Sequence, residues 1–411
     1  MFESEHKLRH LPFFEAIASS DEGDAEWHAA TAGLVLLRLV DSWIEDGPRV
    51  VAADDWALRS VRNAIDEVKA REKLRTILSS ILEVLETATV VDMGMLAPRM
   101  MAYGQLLEYD ARWNLAADVY NAIVAHTHPV QEADVATHAH LRRGFCLRQI
   151  GDLKSSLLAY ETAGEIARAA NDMVGVLRAR IGEAKTAIAR GNMPRAQEIL
   201  DETINRAAEH RLDAVRSMAL HDRSDVAFQV GDYELAIKLA YEALETTESS
   251  RERDRILADI AGSFYKLGVH SAARDAYLIL AATGQEQYQR WTATLNLMEI
   301  AAADGEQLLF EQYRRSIDVR ALPPRQQTLY WLQGGVGYEL LGNFSEARAF
   351  LERALSVAGE HGFNQFVIEA DEALRTLGQK ARQPAVQPSL PDEVVRAVAD
   401  RLRRDREEIG V

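Results

Sequence analysis

The stretch LGNFSEARAFLERAL, residues 341–355, turns on a Gly-Asn pair and then enters a helix that keeps Ala347, Ala349 and Ala354 where larger side chains would bury more area. The same elbow recurs upstream, as GVHSAARDAY at 268–277, GDYELAIKLAYEAL at 231–244, GNMPRAQEIL at 191–200 and GDLKSSLLAYETA at 151–163. A weaker copy, DARWNLAADVY, spans 110–120. The elbows at 151, 191 and 231 recur with a period of 40, and the next step, to 268, is 37. The interval from there to 342 is twice 37, which places one degenerate unit between them, at MEIAAADGEQLLFEQYRRSI, 298–317. A period of this size fits two helices of about 13 to 18 residues plus two turns, the signature of a helical repeat.

The flanks of each elbow follow helical spacing. Trp331, Gly335 and Tyr338 precede Gly342 at three- to four-residue intervals, and Ala347, Leu351 and Ala354 follow it in the same way. Side chains so spaced share one helix face. A small residue at Gly335 opposite Ala347 lets the paired helices approach closely, while Tyr338 and Leu351 fill volume toward the neighbouring unit. The alanines and glycines therefore set the helix spacing.

These residues resemble the tetratricopeptide-repeat family, which places an aromatic, a Gly or Ala and a Tyr on a first helix, then a Gly-Asp or Gly-Asn elbow, then Ala, an aromatic or Leu, and Ala on a second. Trp331, Gly335, Tyr338, Gly342, Asn343, Ala347, Leu351 and Ala354 match in the last unit. Gly144, Gly151, Asp152, Tyr160 and Ala163 match in an earlier one, with Ser156 in place of the usual Ala. Ser224, Asp232, Tyr233, Ala236 and Ala243 match around Gly231, and Ala261, Phe264, Ala273 and Tyr277 around Gly268. The resemblance covers roughly residues 96–378 and implies an all-α, right-handed superhelical solenoid of antiparallel helix pairs. The family's common unit is about 34 residues. The longer period here, and the scarcity of the Pro that closes the second helix, imply longer helices or turns, as in bacterial tetratricopeptide proteins that bind signalling peptides or regulate transcription factors.

The chain partitions into an N-terminal helical region (1–92), a repeat array (93–361), a capping helix (362–378), a linker (379–391) and a short C-terminal helix (392–411). Helices are expected at 26–44, 54–70 and 72–86 in the first region, which is either diverged repeats or a cap. Within the array they are expected near 96–109, 112–126, 132–149, 153–169, 172–190, 194–209, 212–229, 232–247, 251–267, 271–284, 287–303, 305–318, 324–341 and 344–359. The Phe363–Leu377 stretch caps the apolar face that a terminal repeat would otherwise expose.

Composition narrows the function classes. With 47 Lys and Arg against 63 Asp and Glu, the net charge of -16 disfavours direct nucleic-acid binding through phosphates. The single Cys146 forms no intrachain disulfide and suits a reducing compartment. The first residues do not have the form of a signal peptide, and AGLVLLRLV, 32–40, is too short to span a bilayer and contains Arg38. The expectation is a cytoplasmic protein without membrane insertion.

No enzyme motif emerges, and no cofactor is implied. The chain lacks a Walker A run, a Rossmann glycine signature, a G-x-S-x-G elbow and an H-E-x-x-H helix. GGVG at 334–337 lies inside a repeat helix, and Cys146 sits in an apolar neighbourhood that suits a buried structural thiol. His126, His128, His138 and His140 come nearest to a metal motif, but each pair is two residues apart and points to different faces, so separate roles are expected. The carboxylate-rich run ESSRERDRILAD, 248–259, reads as a solvated face.

The positive argument is geometric. Stacked helix pairs form an extended surface from their first helices, able to hold a peptide or helix. The positions that face inward in the tetratricopeptide family correspond here to His138, Leu141, Phe145 and Arg148, then Arg178, Ile181, Lys185 and Ile188, then Met218, His221, Asp225 and Phe228, and then Arg255 and Tyr265. Apolar members would anchor side chains, while basic ones would orient an acidic or C-terminal group. The leading expectation is a noncatalytic scaffold or adaptor binding a protein or peptide. The alternative is a peptide-responsive regulator of a partner such as a transcription factor. An enzyme with a site in the N-terminal region is the least favoured reading. Homo-oligomerisation through the N-terminal helices or the tail is a further expectation.

Overall fold

The computed structural model describes residues 9–45, 56–87, 93–379 and 391–411. The boundary expected at 92 and most of the 379–391 linker lie outside the described residues. The chain divides into two compact units, Met1–Arg206 and Ala207–Val411. The first contains α1 (Leu11–Ala18), α2 (Ala25–Glu45), α3 (Trp56–Asp66), α4 (Glu72–Thr87), α5 (Met93–Tyr109), α6 (Trp113–His126), α7 (Ala133–Gln149), α8 (Leu153–Ala169), α9 (Met173–Ala189) and most of α10 (Met193–Glu209). The second contains α11 (Asp213–Gln229), α12 (Tyr233–Thr246), α13 (Ser250–Lys266), α14 (His270–Thr283), α15 (Gln287–Ala303), α16 (Gln307–Ser316), α17 (Pro324–Leu340), α18 (Phe344–Glu360), α19 (Asn364–Thr376) and α20 (Glu393–Ile409). A 3-10 turn at Val319–Ala321 separates α16 from α17, and no strand occurs among the described residues.

Successive helices pack as antiparallel pairs because the turns between them are too short to do anything but reverse the chain. Gly151, Gly191, Gly231, Gly268, Gly305 and Gly342 all have φ between 75 and 84°, a region open to glycine and costly for other residues. At the first of these, the Gly151 N–H donates to Arg148 O (3.1 Å) and the Asp152 N–H to Leu147 O (3.0 Å), which closes α7. Asp152 then accepts from the Ser155 N–H at 3.0 Å and so opens α8. The Gly-Asp pair ends one helix and caps the next.

The change of period from 40 to 37 also has a structural cause. Helices α7 to α11 are each 17 residues long. The second helices α12 and α14 have only 14. Losing three residues from a second helix moves the next elbow closer by the same amount. The degenerate unit expected at 298–317 is α15 with α16, turning at Gly305.

Close approach follows the small residues. A Cβ on Gly335 would stand 2.7 Å from Leu351 Cγ and 3.2 Å from Ala347 O, so this glycine is what lets α18 pack onto α17. Tyr338 reaches toward the preceding pair, where its ring meets Phe310 at 5.0 Å and its hydroxyl donates to Glu311 at 2.6 Å. On the other side Leu351 and Ala354 pack with Ala370 of α19, which covers the end of the last pair. These features make the fold a tetratricopeptide-like helical repeat.

The N-terminal helices share one core with α5 to α8. Helix α1, which the sequence did not reveal, is held by long-range contacts. Phe13 is fully buried against Tyr103, and His10 places Nδ1 2.7 Å from Asp118 and Nε2 3.1 Å from Asp41. At the other end, α20 lies on α12 and α14 through Val395, Val398 and Leu402, with ion pairs from Lys238 to Asp392 and from Arg406 to the buried Asp275, both 3.1 Å.

Candidate functional site

The first-helix residues nominated from the sequence fall on two faces, one in each unit. In the first unit, His138, Leu141, Phe145 and Arg148 follow helical spacing along α7, and Arg178, Ile181, Lys185 and Ile188 do so along α9. Leu141 is buried with Tyr160, Ala163 and Ala179, and Ile181 is also buried, so both serve packing. Phe145 is half-buried, edge-on to Trp113 at 5.6 Å. The guanidinium carbons of Arg142 and Arg148 lie 5.1 and 5.4 Å from its ring centroid, within the range of cation–π attraction.

The two arginines differ in how their charge is met. Arg142 forks onto buried Glu108, its Nε donating to Oε1 at 2.9 Å, and the Tyr120 hydroxyl donates to the same oxygen at 2.6 Å. Arg148 lies beside the Tyr160 phenol, and its buried Nε has no hydrogen-bond partner. Arg178 is exposed and makes no salt bridge or hydrogen bond among the described residues. Burial, and then the nearby Arg178, pull His138 below the ordinary imidazole range and keep it neutral. Lys185 and Ile188 are half-buried further along α9. The α7–α9 surface is thus an aromatic ring set among cations.

The second unit presents the opposite chemistry. His221 is 3% exposed, with Nδ1 2.7 Å from Glu252 Oε1 and Nε2 2.6 Å from Asp259 Oδ2 on α13. Burial alone would lower its pKa, but the hydrogen bonds to Asp259 and Glu252 and the charges of Asp259 and Asp225 outweigh that and push it up to about 10. Arg255 leans back on Glu252 at 3.0 Å, so its charge is met within the cluster. Met218 and Asp225 are half-buried, Phe228 packs on Tyr233 at 5.3 Å, and Tyr265 stacks on His270 at 5.1 Å. One ligand atom each from His221, Asp225 and Asp259 lies within 4.8 Å of the others.

The structure disperses the four histidines of 126–140. His126 Nε2 bonds Asp41 at 2.7 Å, and His128 Nδ1 accepts from the Val130 and Gln131 N–H groups at 3.3 Å. His140 is buried with an unpartnered Nδ1, and burial followed by the charge of Arg143 takes its pKa down to about 4. Cys146 is fully buried, with burial pushing its thiol up to about 12. The carboxylate run at 248–259 is more than a solvated face, since Glu252 and Asp259 grip His221. Their separation by two helical turns was the available signal. Arg142 and Glu108 escaped the sequence reading because their pairing spans 34 residues.

No family model matches the chain, and no curated protein matches it in sequence. Several solved structures are similar in architecture. The structure of a Rap protein complexed with Competence and Sporulation Factor is similar over 87% of this chain and 98% of its own, at 11% identity and a TM-score of 0.44. The apo form of the quorum sensor NprR from B. thuringiensis is similar over 84% of this chain and 90% of its own, at 14% identity and a TM-score of 0.49. The Rap conjugation gene regulator of plasmid pLS20, in complex with the Phr* peptide, is similar over 93% and 98%, at 13% identity and a TM-score of 0.40. These likenesses are of architecture alone. Among the described residues no helix is long and apolar enough to cross a membrane.

Proposed function

We propose that this chain is a peptide-binding regulatory protein whose α7–α9 surface receives a peptide bearing a carboxylate. The observation that carries this reading is the arrangement of Phe145 between Arg142 and Arg148, with the unpaired Arg178 on the adjacent helix. A protein of net charge -16 concentrates cations here around a ring that is only half buried. An aromatic face with nearby guanidinium groups suits a peptide that offers one apolar side chain and one acidic group. Arg142 is already neutralised by Glu108, which leaves Arg148 and Arg178, neither paired with a carboxylate among the described residues, as the cations that can meet a ligand. A regulatory role goes further than a scaffold: occupancy would tie α7 to α9 and stiffen their packing, a change that a partner bound elsewhere can sense.

The test is to purify the full chain from its own cell extract, identify what it carries by native mass spectrometry, and compare an Arg178→Glu variant. Arg178 is exposed, so the variant should fold. A stoichiometric peptide lost from the variant, whose synthetic form quenches or shifts Trp113 fluorescence in the parent, supports the reading. A peptide held equally by both proteins, or no peptide on either, overturns it.

A further inference from the structure

His221 stands where the repeat elsewhere buries an aliphatic side chain. One and two repeats earlier the equivalent positions hold Ile181 and Leu141, both buried, and the residue four further on is Asp225 where the earlier repeats have Lys185 and Phe145. An imidazole and a carboxylate four residues apart on one helix lie one above the other, the spacing by which helices present paired metal ligands. Helix α13 adds Asp259 on one side of the ring and Glu252 on the other.

We propose that His221 Nε2, Asp225 and Asp259 form a binding site for one divalent transition ion of the Zn2+ or Co2+ type, with Glu252 as the carboxylate that orients the imidazole. The two ring nitrogens have separate tasks. Nδ1–H donates to Glu252 at 2.7 Å, which fixes the ring and leaves Nε2 facing the Asp259 carboxylate. A histidine that donates one nitrogen to a carboxylate and offers the other to a metal is the usual outer-shell arrangement. One ligand atom from each of His221, Asp225 and Asp259 lies within 4.8 Å of the others. Atoms bound at about 2.1 Å to one ion sit roughly 3 to 3.5 Å apart, so small side-chain rotations suffice. The Asp259 side chain is 48% exposed, which gives it room to move and the ion a path in. Water completes the coordination.

Charge supports the same assignment. Asp225, Asp259 and Glu252 surround one imidazole, with Arg255 on Glu252 as the adjacent cation. Binding exchanges the Nε2 proton for the ion, and the proton passes to solvent. The imidazole donor favours Zn2+ or Co2+ over Mg2+.

The test uses the full chain stripped with chelator and titrated with Co2+ and Zn2+. Expected are saturable uptake of one ion per chain, a visible d–d absorption with Co2+, and a shift of the His221 Nε2 resonance on adding Zn2+. Asp259→Asn and Asp225→Asn should each weaken binding by tenfold or more. Glu252→Gln, which touches the ring and not the ion, should weaken it about 10- to 100-fold. His221→Leu restores the residue type of Leu141, so it should fold and bind no ion. Circular dichroism confirms the fold of each variant. The proposal fails if uptake is not saturable, or if saturable uptake persists unchanged in folded Asp259→Asn and His221→Leu proteins.

Discussion

Helices α7 and α9 of the first unit and α11 of the second occupy equivalent places in the repeat period, yet their exposed chemistry is opposite. Around α7 and α9 an aromatic ring is set among arginines. Around α11 a buried imidazole is held by carboxylates. The elbows and helix lengths that build the two places are the same. The repeat fixes the backbone, and only a few inward side chains decide what each face can recognise. A polar substitution into a buried slot is tolerated where the next helix carries its partners, as α13 does for His221.

The strongest way to break the comparison uses two first-helix glycines, Gly182 on α9 of the first unit and Gly262 on α13 of the second. A Cβ on Gly182 would overlap the Tyr160 ring, whereas one on Gly262 would rest 3.7 Å from the Tyr277 hydroxyl. Gly182→Ala should therefore cost about 3 kcal/mol through overpacking. Gly262→Ala should gain up to about 1 kcal/mol from helix propensity. Hydrogen exchange during urea denaturation separates the two units and checks both signs.

The next effect concerns the buried acid of the cationic face. Glu108→Gln removes the charge that Arg142 and Tyr120 share. A loss of about 2 kcal/mol is expected in the first unit. Double substitution with Arg142→Met should recover part of it, and full additivity would show that the pair does not interact.

A pH dependence sharpens the contrast further. Burial works against the His10 charge, but Asp118 and Asp41 raise its pKa to about 9, above the ordinary 6.5. A raised pKa means that stabilisation is complete below pH 6.5 and is lost as the pH climbs through 9. Burial also opposes the Asp41 carboxylate, but hydrogen bonds from His10 and His126 hold its pKa well below the usual range, so its contribution disappears only on strong acidification. The protection of α1 amides should fall between pH 7 and 10, by on the order of 1 kcal/mol or more. His10→Gln should flatten that slope; an unchanged slope would remove His10 from the explanation.

The smallest effect lies at the elbows. Gly151 has φ of 84°, while Ala111 takes φ of 56° at the corresponding turn one repeat earlier. Gly151→Ala should cost about 1 kcal/mol and Ala111→Gly should gain a similar or smaller amount. Equal and opposite shifts in midpoint would establish the two turns as equivalent.

These cases also show what the sequence reveals. Elbows, helix faces and the helix-spacing role of Gly335 were legible because each depends on neighbours within one or two turns. Helix α1 was not, since it is fastened by His10 to residues 31 and 108 positions away. His221 could be nominated from its repeat position, but its carboxylate partners lie 31 and 38 residues further on, and they looked like ordinary surface acids. Arg142 has Gly182 and Asp222 at its equivalent places, so no pattern marks it. Local chemistry announces itself by period, while pairing between helices does not.

From α7 to α11 the chain advances in uniform steps of a 17-residue helix and a three-residue turn. That regularity makes this stretch a cassette. An in-frame excision or duplication of one whole helix pair with its turns would rejoin helix to turn in phase, with each elbow still meeting a residue suited to it. Past α12 the elbows at 268, 305 and 342 recur every 37 residues, so a cut of 40 there would miss its register by three residues and a cut of 37 would keep it. Growth or shrinkage of the array by whole modules is therefore open in steps of 40 residues in its middle and of 37 nearer its end.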